Sequence, residues 1–365
     1  MANSCAGRAA RRNKEVFYAD NTAPGAGRNV DLVKACAILG VAIIHAATGA
    51  YQNQLGSAGW YSAVAWGSVS RASVPLFLMC TGVLFLAPEK ELSGKKLWLR
   101  YILRIGVAMF FWALVYKFYH LAVSWNFTAE SITGAVKEVL FFQHEDHLYY
   151  LHMVLLIYAF LPLLRLLTCH GDKRLLQYAL GLWFALGIVY PTVQSYWPFT
   201  LLAGVPLQWM LNMSYAAMGY CLLGYYLKKY PLRRRWGALS LGLGLACVFG
   251  GTVLSSLRDG ALNTKFWEGM SVGVCLMAAG IFSLLASVQG TGPRLGAAAR
   301  FLSKASFCVY LSHMLFLHVL RALGLDGNWP LPVVGVPLLA LLTVLGGVVV
   351  YVVASRVPVV KRWLI

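Results

Sequence analysis

Acidic side chains are scarce. The 365-residue chain carries 13 Asp and Glu against 31 Lys and Arg, and charged residues together make up only 12% of it. A soluble domain of this length needs far more charge on its surface, so that class is excluded. Cysteine is present but unpatterned: none of the eight stands in a CxxC or other zinc spacing. Six of them (Cys36, Cys80, Cys221, Cys247, Cys275 and Cys308) fall in apolar stretches. They read as small embedded thiols, which sets aside a disulfide framework and a cysteine metal centre. No GxSxG elbow occurs, so a serine-hydrolase reading has no starting point. Residues 1–30 are polar and basic and lack the apolar core of a cleavable signal peptide. Residues 1–27 are expected to form a flexible basic cytoplasmic tail, ahead of a single transmembrane domain at 28–363.

Apolar residues, in contrast, abound: 59% of the chain is hydrophobic and 13% aromatic. Ten long apolar runs are legible, at 31–51, 62–87, 98–121, 147–167, 175–194, 205–228, 236–256, 268–288, 303–323 and 332–355. Each reaches the ~20 residues a helix needs to cross a bilayer. The loops between them alternate in charge. One side collects Arg8, Arg11, Arg12, Lys14 and Arg28, then Lys90, Lys95, Lys96 and Arg100, then Lys173 and Arg174, then Lys228, Lys229 and Arg233 to Arg235, then Arg294 and Arg300, then Lys361 and Arg362. On the other side 52–61 and 195–204 are uncharged and 122–146 is net acidic. The positive-inside rule puts the basic side in the cytoplasm. The expected fold is therefore all-α: a polytopic membrane protein with about ten transmembrane helices and both termini cytoplasmic. The net charge of +18 belongs to these loops, and a nucleic-acid partner is not expected.

The first run holds the most informative pattern. Lys34 and His45 are eleven residues apart, three helical turns plus 20°, so they share a face about 16 Å apart along the axis. Asp31 lies only 40° off that face, yet about 21 Å from His45, too far to orient its ring. Any partner for His45 must come from another span. Ionisable groups inside spans are costly and by default mark function. His45 reads as a general base or acyl relay, with a satisfied structural imidazole as the alternative. Arg71, at a similar depth beside Pro75, could clamp an anion or polarise a carbonyl, or simply pair with backbone at the helix break. Thr81 and Gly82 read as close-packing positions. Arg100 and Arg104, one turn apart, suit either snorkelling or a diphosphate. His144-Glu145-Asp146-His147-Leu148-Tyr149-Tyr150-Leu151-His152 fits no fixed zinc spacing, so no metal is expected. His147 and Tyr149 there suit either sugar hydroxyls or an interfacial aromatic belt. Ser306, Tyr310 and His313 sit at i, i+4 and i+7, a polar stripe that lines a cavity or forms a hydrogen-bond seam.

These residues carry a resemblance. Val30-Asp31-Leu32-Val33-Lys34, followed after ten residues by His45, resembles the opening Leu-Asp-x-x-Arg and His of the acyltransferase-3 family of bacterial integral membrane O-acyltransferases. Ser73 to Gly82, His147-Leu148-Tyr149-Tyr150-Leu151 with Pro162, and Ser306-Phe307 with Tyr310-Leu311-Ser312-His313 are similar to its later signatures. Lys34 stands for the family's Arg, Thr81 for a Ser and Tyr149 for a Trp. The resemblance covers residues 28–363 and implies a stand-alone member without an outer esterase-like domain, set in the bacterial inner membrane. It implies an acyl-CoA donor, acetyl-CoA first, with its phosphates near Arg28, Asp31, Lys34, Arg100 and Arg104. It implies catalysis by His45 with Arg71 and His313, and an acceptor hydroxyl on a surface carbohydrate held by His147, Tyr149, Ser306 and Tyr310. The expected partners are membrane lipid, acyl-CoA and that carbohydrate, with a second copy of the chain or an envelope-assembly complex as further options. A secondary transporter or flippase of the envelope pathway is the competing class; it would use the same buried His and Arg but calls for inverted repeats, and none is legible.

Overall fold

The computed structural model describes residues 26–194, 196, 213–288 and 291–365. Among these residues there is no strand, and nine helical stretches are long and apolar enough to cross a membrane. The chain is thus an all-α polytopic membrane protein, as its apolar runs require. Eight of the nine lie within four residues of expected runs at both ends, and the one expected at 303–323 begins ten residues earlier, at Pro293, so that its basic approach with Arg294 and Arg300 is helical too. The remaining run, 205–228, begins outside the described residues, and its later part is helical from Met213 to Lys229.

The bundle is arranged around helix α1 (Ala26–Ala46). Its neighbours are α2 (Ala58–Ser70), α3 (Ser73–Phe85), α10 (Val272–Ala286), α11 (Pro293–Ala322) and α12 (Pro332–Ala354). Two apolar cores meet on it. Val33 and Ala37 belong to one, with α3, α6 (Tyr149–His170), α8 (Met213–Lys229) and α10. Ile38, Val41 and Ala42 belong to the other, with α4 (Leu103–Val123), α11 and α12. The remaining spans are α7 (Lys173–Trp183), which continues to Val193, and α9 (Arg234–Asp259). Leu239, Leu243, Leu254 and Leu257 of α9 and Leu341, Leu345 and Val349 of α12 are exposed, the side that faces lipid tails.

The second span is broken. Pro75 has no N–H to offer the carbonyl four residues earlier, and its ring crowds that carbonyl, which belongs to Arg71. The helix stops at Ser70 and restarts at Ser73, where the Ser73 hydroxyl donates to the Ser70 carbonyl at 2.6 Å. The break leaves Arg71 between two half-helices inside the bundle. The acidic connection at 122–146, read as a loop, contains an amphipathic helix, α5 (Ala129–Leu140), capped by the Thr128 hydroxyl, which accepts from the Ser131 N–H. Cys36, Cys80, Cys221, Cys247, Cys275 and Cys308 form no disulfide, consistent with embedded thiols.

Candidate active site

Three imidazoles from three distant parts of the chain come together near the end of the bundle opposite the basic loops. His45 ends α1, His147 sits in the short turn Asp146–Leu148, and His313 lies in α11. The His45 and His313 ring centroids are 5.1 Å apart, those of His147 and His313 5.5 Å, and those of His45 and His147 6.3 Å. His45 is partly exposed and faces the other two rings, not lipid, whereas His147 and His313 are only 3% and 1% exposed.

Local structure fixes one tautomer. The His313 Nδ1 is 2.7 Å from the Tyr310 carbonyl, which can only accept, so Nδ1 carries the proton. Nε2 is left with its lone pair, buried and without a hydrogen-bond partner, as are both ring nitrogens of His147. An unsatisfied buried polar group costs roughly 1–3 kcal/mol. Three of them beside His45 are expected where a polar substrate completes the bonding.

Arg71 extends its guanidinium over the Trp267 ring at 4.2 Å and lies beside Tyr51 and Tyr149. Trp267 is itself held by its indole N–H, which donates to the Ser68 hydroxyl at 3.1 Å. Arg71 and Arg321 are guanidiniums whose charge reaches the His45 ring. Arg321 was not legible as a site residue. It donates to the His45 carbonyl at 3.0 Å and to the Thr48 hydroxyl at 2.5 Å, pinning the end of α1. Its only sequence signal is a basic residue in the last turn of a helix, which ordinarily reads as a cap.

A cavity of about 160 Å³ runs from Lys34 at the basic end toward these imidazoles. Val41, Phe77, Thr81, Ser306 and Tyr310 are among its walls. Lys34 and Val41 are two turns apart on one face of α1, so the expected groove exists along its first half. His45 is not among its walls, which include Tyr150 and Tyr310, their rings 5.4 Å apart edge to face. The Tyr310 ring is 5.9 Å from His147 and 6.2 Å from His313, and its hydroxyl donates to the His147 carbonyl.

The cavity's inner mouth gathers cations. Lys90 donates to the Leu84 carbonyl at 2.7 Å and lies over the Phe85 ring, both wall residues. Burial, and then the charges of Lys96, Arg165 and Lys34, push Lys90 down to about 8. Lys90 read only as a loop cation in the sequence; nothing in its spacing places it beside Lys34.

The other expected donor residues divide. Arg28 lies on α1, with a side chain outside the described residues. Asp31 accepts from the Ser303 hydroxyl at 2.6 Å and so ties α1 to α11. Ser306 lines the cavity and donates to the Ser303 carbonyl at 2.8 Å. Arg100, in the π-helical stretch Leu97–Ile102, and Arg104 are not wall residues. Arg104 donates to the Ile365 backbone oxygen beside the Phe307 ring. Tyr149 is exposed on the rim near Arg71.

No curated protein and no solved structure matches this chain. A family model described as an acyltransferase domain matches residues 28–352. That span contains the three imidazoles, Arg71, Lys34 and every wall of the cavity. The chain therefore belongs to the acyltransferase-3 family of integral membrane O-acyltransferases, which transfer groups other than amino-acyl groups.

Proposed function

We propose that the protein takes an acetyl group from cytoplasmic acetyl-CoA and places it on a hydroxyl of a cell-surface glycan or its lipid-linked precursor, in a bacterial inner membrane. The observation that carries this reading is the imidazole triangle beyond a cavity whose opposite mouth is cationic. The phosphates of the donor pair with Lys34 and Lys90, its pantetheine arm extends along the cavity, and the Tyr150 and Tyr310 side chains move aside to let the thioester meet His45. An acceptor hydroxyl enters from the other end beside His45. His45 takes the hydroxyl proton as the oxygen attacks the thioester carbonyl. His313 Nε2 accepts from the resulting imidazolium, and Arg71 offsets the charge on the tetrahedral oxygen. Collapse breaks the C–S bond, and the proton returns to the departing thiolate. One O–C bond forms, one C–S bond breaks, and no redox partner is needed.

The test is acetyl transfer from labelled acetyl-CoA into envelope glycan by membranes containing the protein. His45→Ala should lower transfer about 10²–10⁴-fold, the range of a lost general base, with insertion intact. Lys34→Ala should mainly raise the KM for acetyl-CoA. Full transfer by the His45 variant would overturn the assignment of the base, and an unchanged KM would overturn that of the donor site.

A further inference from the structure

A second cluster of chemistry-bearing side chains lies outside the imidazole triangle. His120 comes from the last turn of α4, Glu145 from the loop before α6, and His318 from α11. One nitrogen or oxygen from each can be chosen so that all three lie within 4.8 Å of one another. His120 Nε2 is 2.5 Å from Glu145 Oε1, and His318 Nε2 is 3.6 Å from Glu145 Oε2. The His318 ring is stacked on Tyr119 at 5.9 Å, which fixes its direction, and its Nε2 is buried without a hydrogen-bond partner.

Hydrogen bonding alone leaves this cluster incomplete. Glu145 satisfies His120, but 3.6 Å is beyond hydrogen-bond length for the buried His318 nitrogen. A cation would engage all three. Ligand atoms about 2.0–2.2 Å from a zinc ion stand roughly 3–3.5 Å apart. The Glu145–His318 pair is already near that separation, and the His120 side chain, 48% exposed, has room to draw back. Two imidazoles and a carboxylate are the donor set of a zinc-type ion with one coordination position open, here toward solvent.

We propose that His120, Glu145 and His318 bind one divalent zinc-type cation at the outer end of the bundle. Its position gives it a structural role toward the neighbouring site. Glu145 is two residues from His147, and His318 five from His313. The ion would therefore brace the turn and the helix that hold the two buried imidazoles, His147 and His313. The sequence carries no trace of the site, because its ligands are 25 and 173 residues apart and share no motif.

The experiment uses the full-length protein purified in detergent, stripped with chelator, given zinc chloride and passed over a desalting column. Atomic spectroscopy should find one zinc per chain, and the thermal midpoint should rise with zinc. Glu145→Gln and His318→Gln should each weaken zinc binding at least 10-fold and abolish the midpoint rise, while His170→Gln, at the basic end, retains both. A cobalt-loaded wild-type sample should show the absorption of a low-symmetry nitrogen–oxygen site, a readout that needs no variant to fold. Wild-type protein without stoichiometric metal, or equal zinc retained by Glu145→Gln and His318→Gln, would overturn the proposal. Zinc content is read without any acyl donor, so its failure leaves the transfer reaction untouched.

Discussion

At the scale of single residues, sequence spacing identified groups that share a helix and missed those that meet only in space. Lys34 was legible because Lys34 and His45 stand three turns apart on α1. His313 was legible because a polar stripe in an apolar helix is conspicuous. That His147 would close a triangle with them, or that Lys90 would sit beside Lys34, depends on how helices cross, which no local pattern encodes. Lys90 yields a pH prediction. Its folded value near 8 lies below the ordinary 10.5, so its ammonium is lost as pH rises through about 8 while an unfolded chain would keep it. The unfolded state binds the extra proton between those values, so this group's contribution to stability rises with pH there. Binding of a phosphate-bearing donor runs the other way and weakens as the charge is lost. The KM for acetyl-CoA should rise through pH 8 in the wild type and stay flat in Lys90→Arg, whose guanidinium remains charged. Identical profiles for the two would remove Lys90 from the donor site.

At the scale of elements, apolar length and basic flanks were enough to place eight spans within a few residues, but not the start of α11, whose first ten residues are helical yet too basic to read as part of a span. The break in the second span was suggested by Pro75, and its location at Arg71–Ala72 follows from the carbonyl that Pro75 cannot serve. Helix α5 was not legible as a separate element: its polar composition within an acidic connection read as a loop, yet its amphipathic face suffices at a membrane surface. The packing of α3 on α8 depends on two small residues. A Cβ on Gly82 would come within 1.8 Å of the Cys221 carbonyl oxygen, and one on Gly224 within 2.2 Å of the Met79 carbonyl oxygen. Both obstacles are backbone and cannot rotate away. Gly82→Ala should cost about 1–3 kcal/mol through forced separation of the helices. Gly106→Ala on α4, where a Cβ meets nothing within 4 Å, should be neutral or slightly stabilising. Thermal unfolding in detergent distinguishes them, and equal midpoints would refute the packing argument. Because α3 carries Phe77 and Thr81 of the cavity wall, the Gly82 variant should also lose transfer activity.

At the scale of the whole molecule, one helix serves two cores, and the cavity and imidazoles lie where those cores meet on it. The chain's family was legible from signatures spread between Val30 and His313, and its all-α membrane fold from the apolar runs along its whole length. The interruption of the groove was not, because the Tyr150–Tyr310 contact joins α6 to α11 across 160 positions of sequence. Tyr310 lines the cavity and also lies 5.9 Å from the His147 ring and 6.2 Å from that of His313, so on the proposed reading it stands between donor and acceptor. Tyr310→Phe keeps the ring but loses the hydroxyl's bond to the His147 carbonyl, and should slow transfer several-fold. Tyr310→Ala removes the wall and should let water reach the thioester. Comparing free CoA thiol with acetyl groups on glycan measures this: the ratio should be near one in the wild type and well above one in the Ala variant. A ratio near one in both would show that the tyrosine is not the barrier.

The same pair of aromatic rings has an energetic consequence for the cell. A row of imidazoles open to one compartment and a wet, cationic pore open to the other would together form a wire for hydrogen ions. Such a wire would discharge the electrochemical gradient that the surrounding bilayer sustains. Two phenol rings between the cavity and the imidazoles would keep the proton-handling groups apart from a donor bound at Lys34, and the leak of protons through Tyr310→Ala in vesicles, against none in the wild type, measures whether they do.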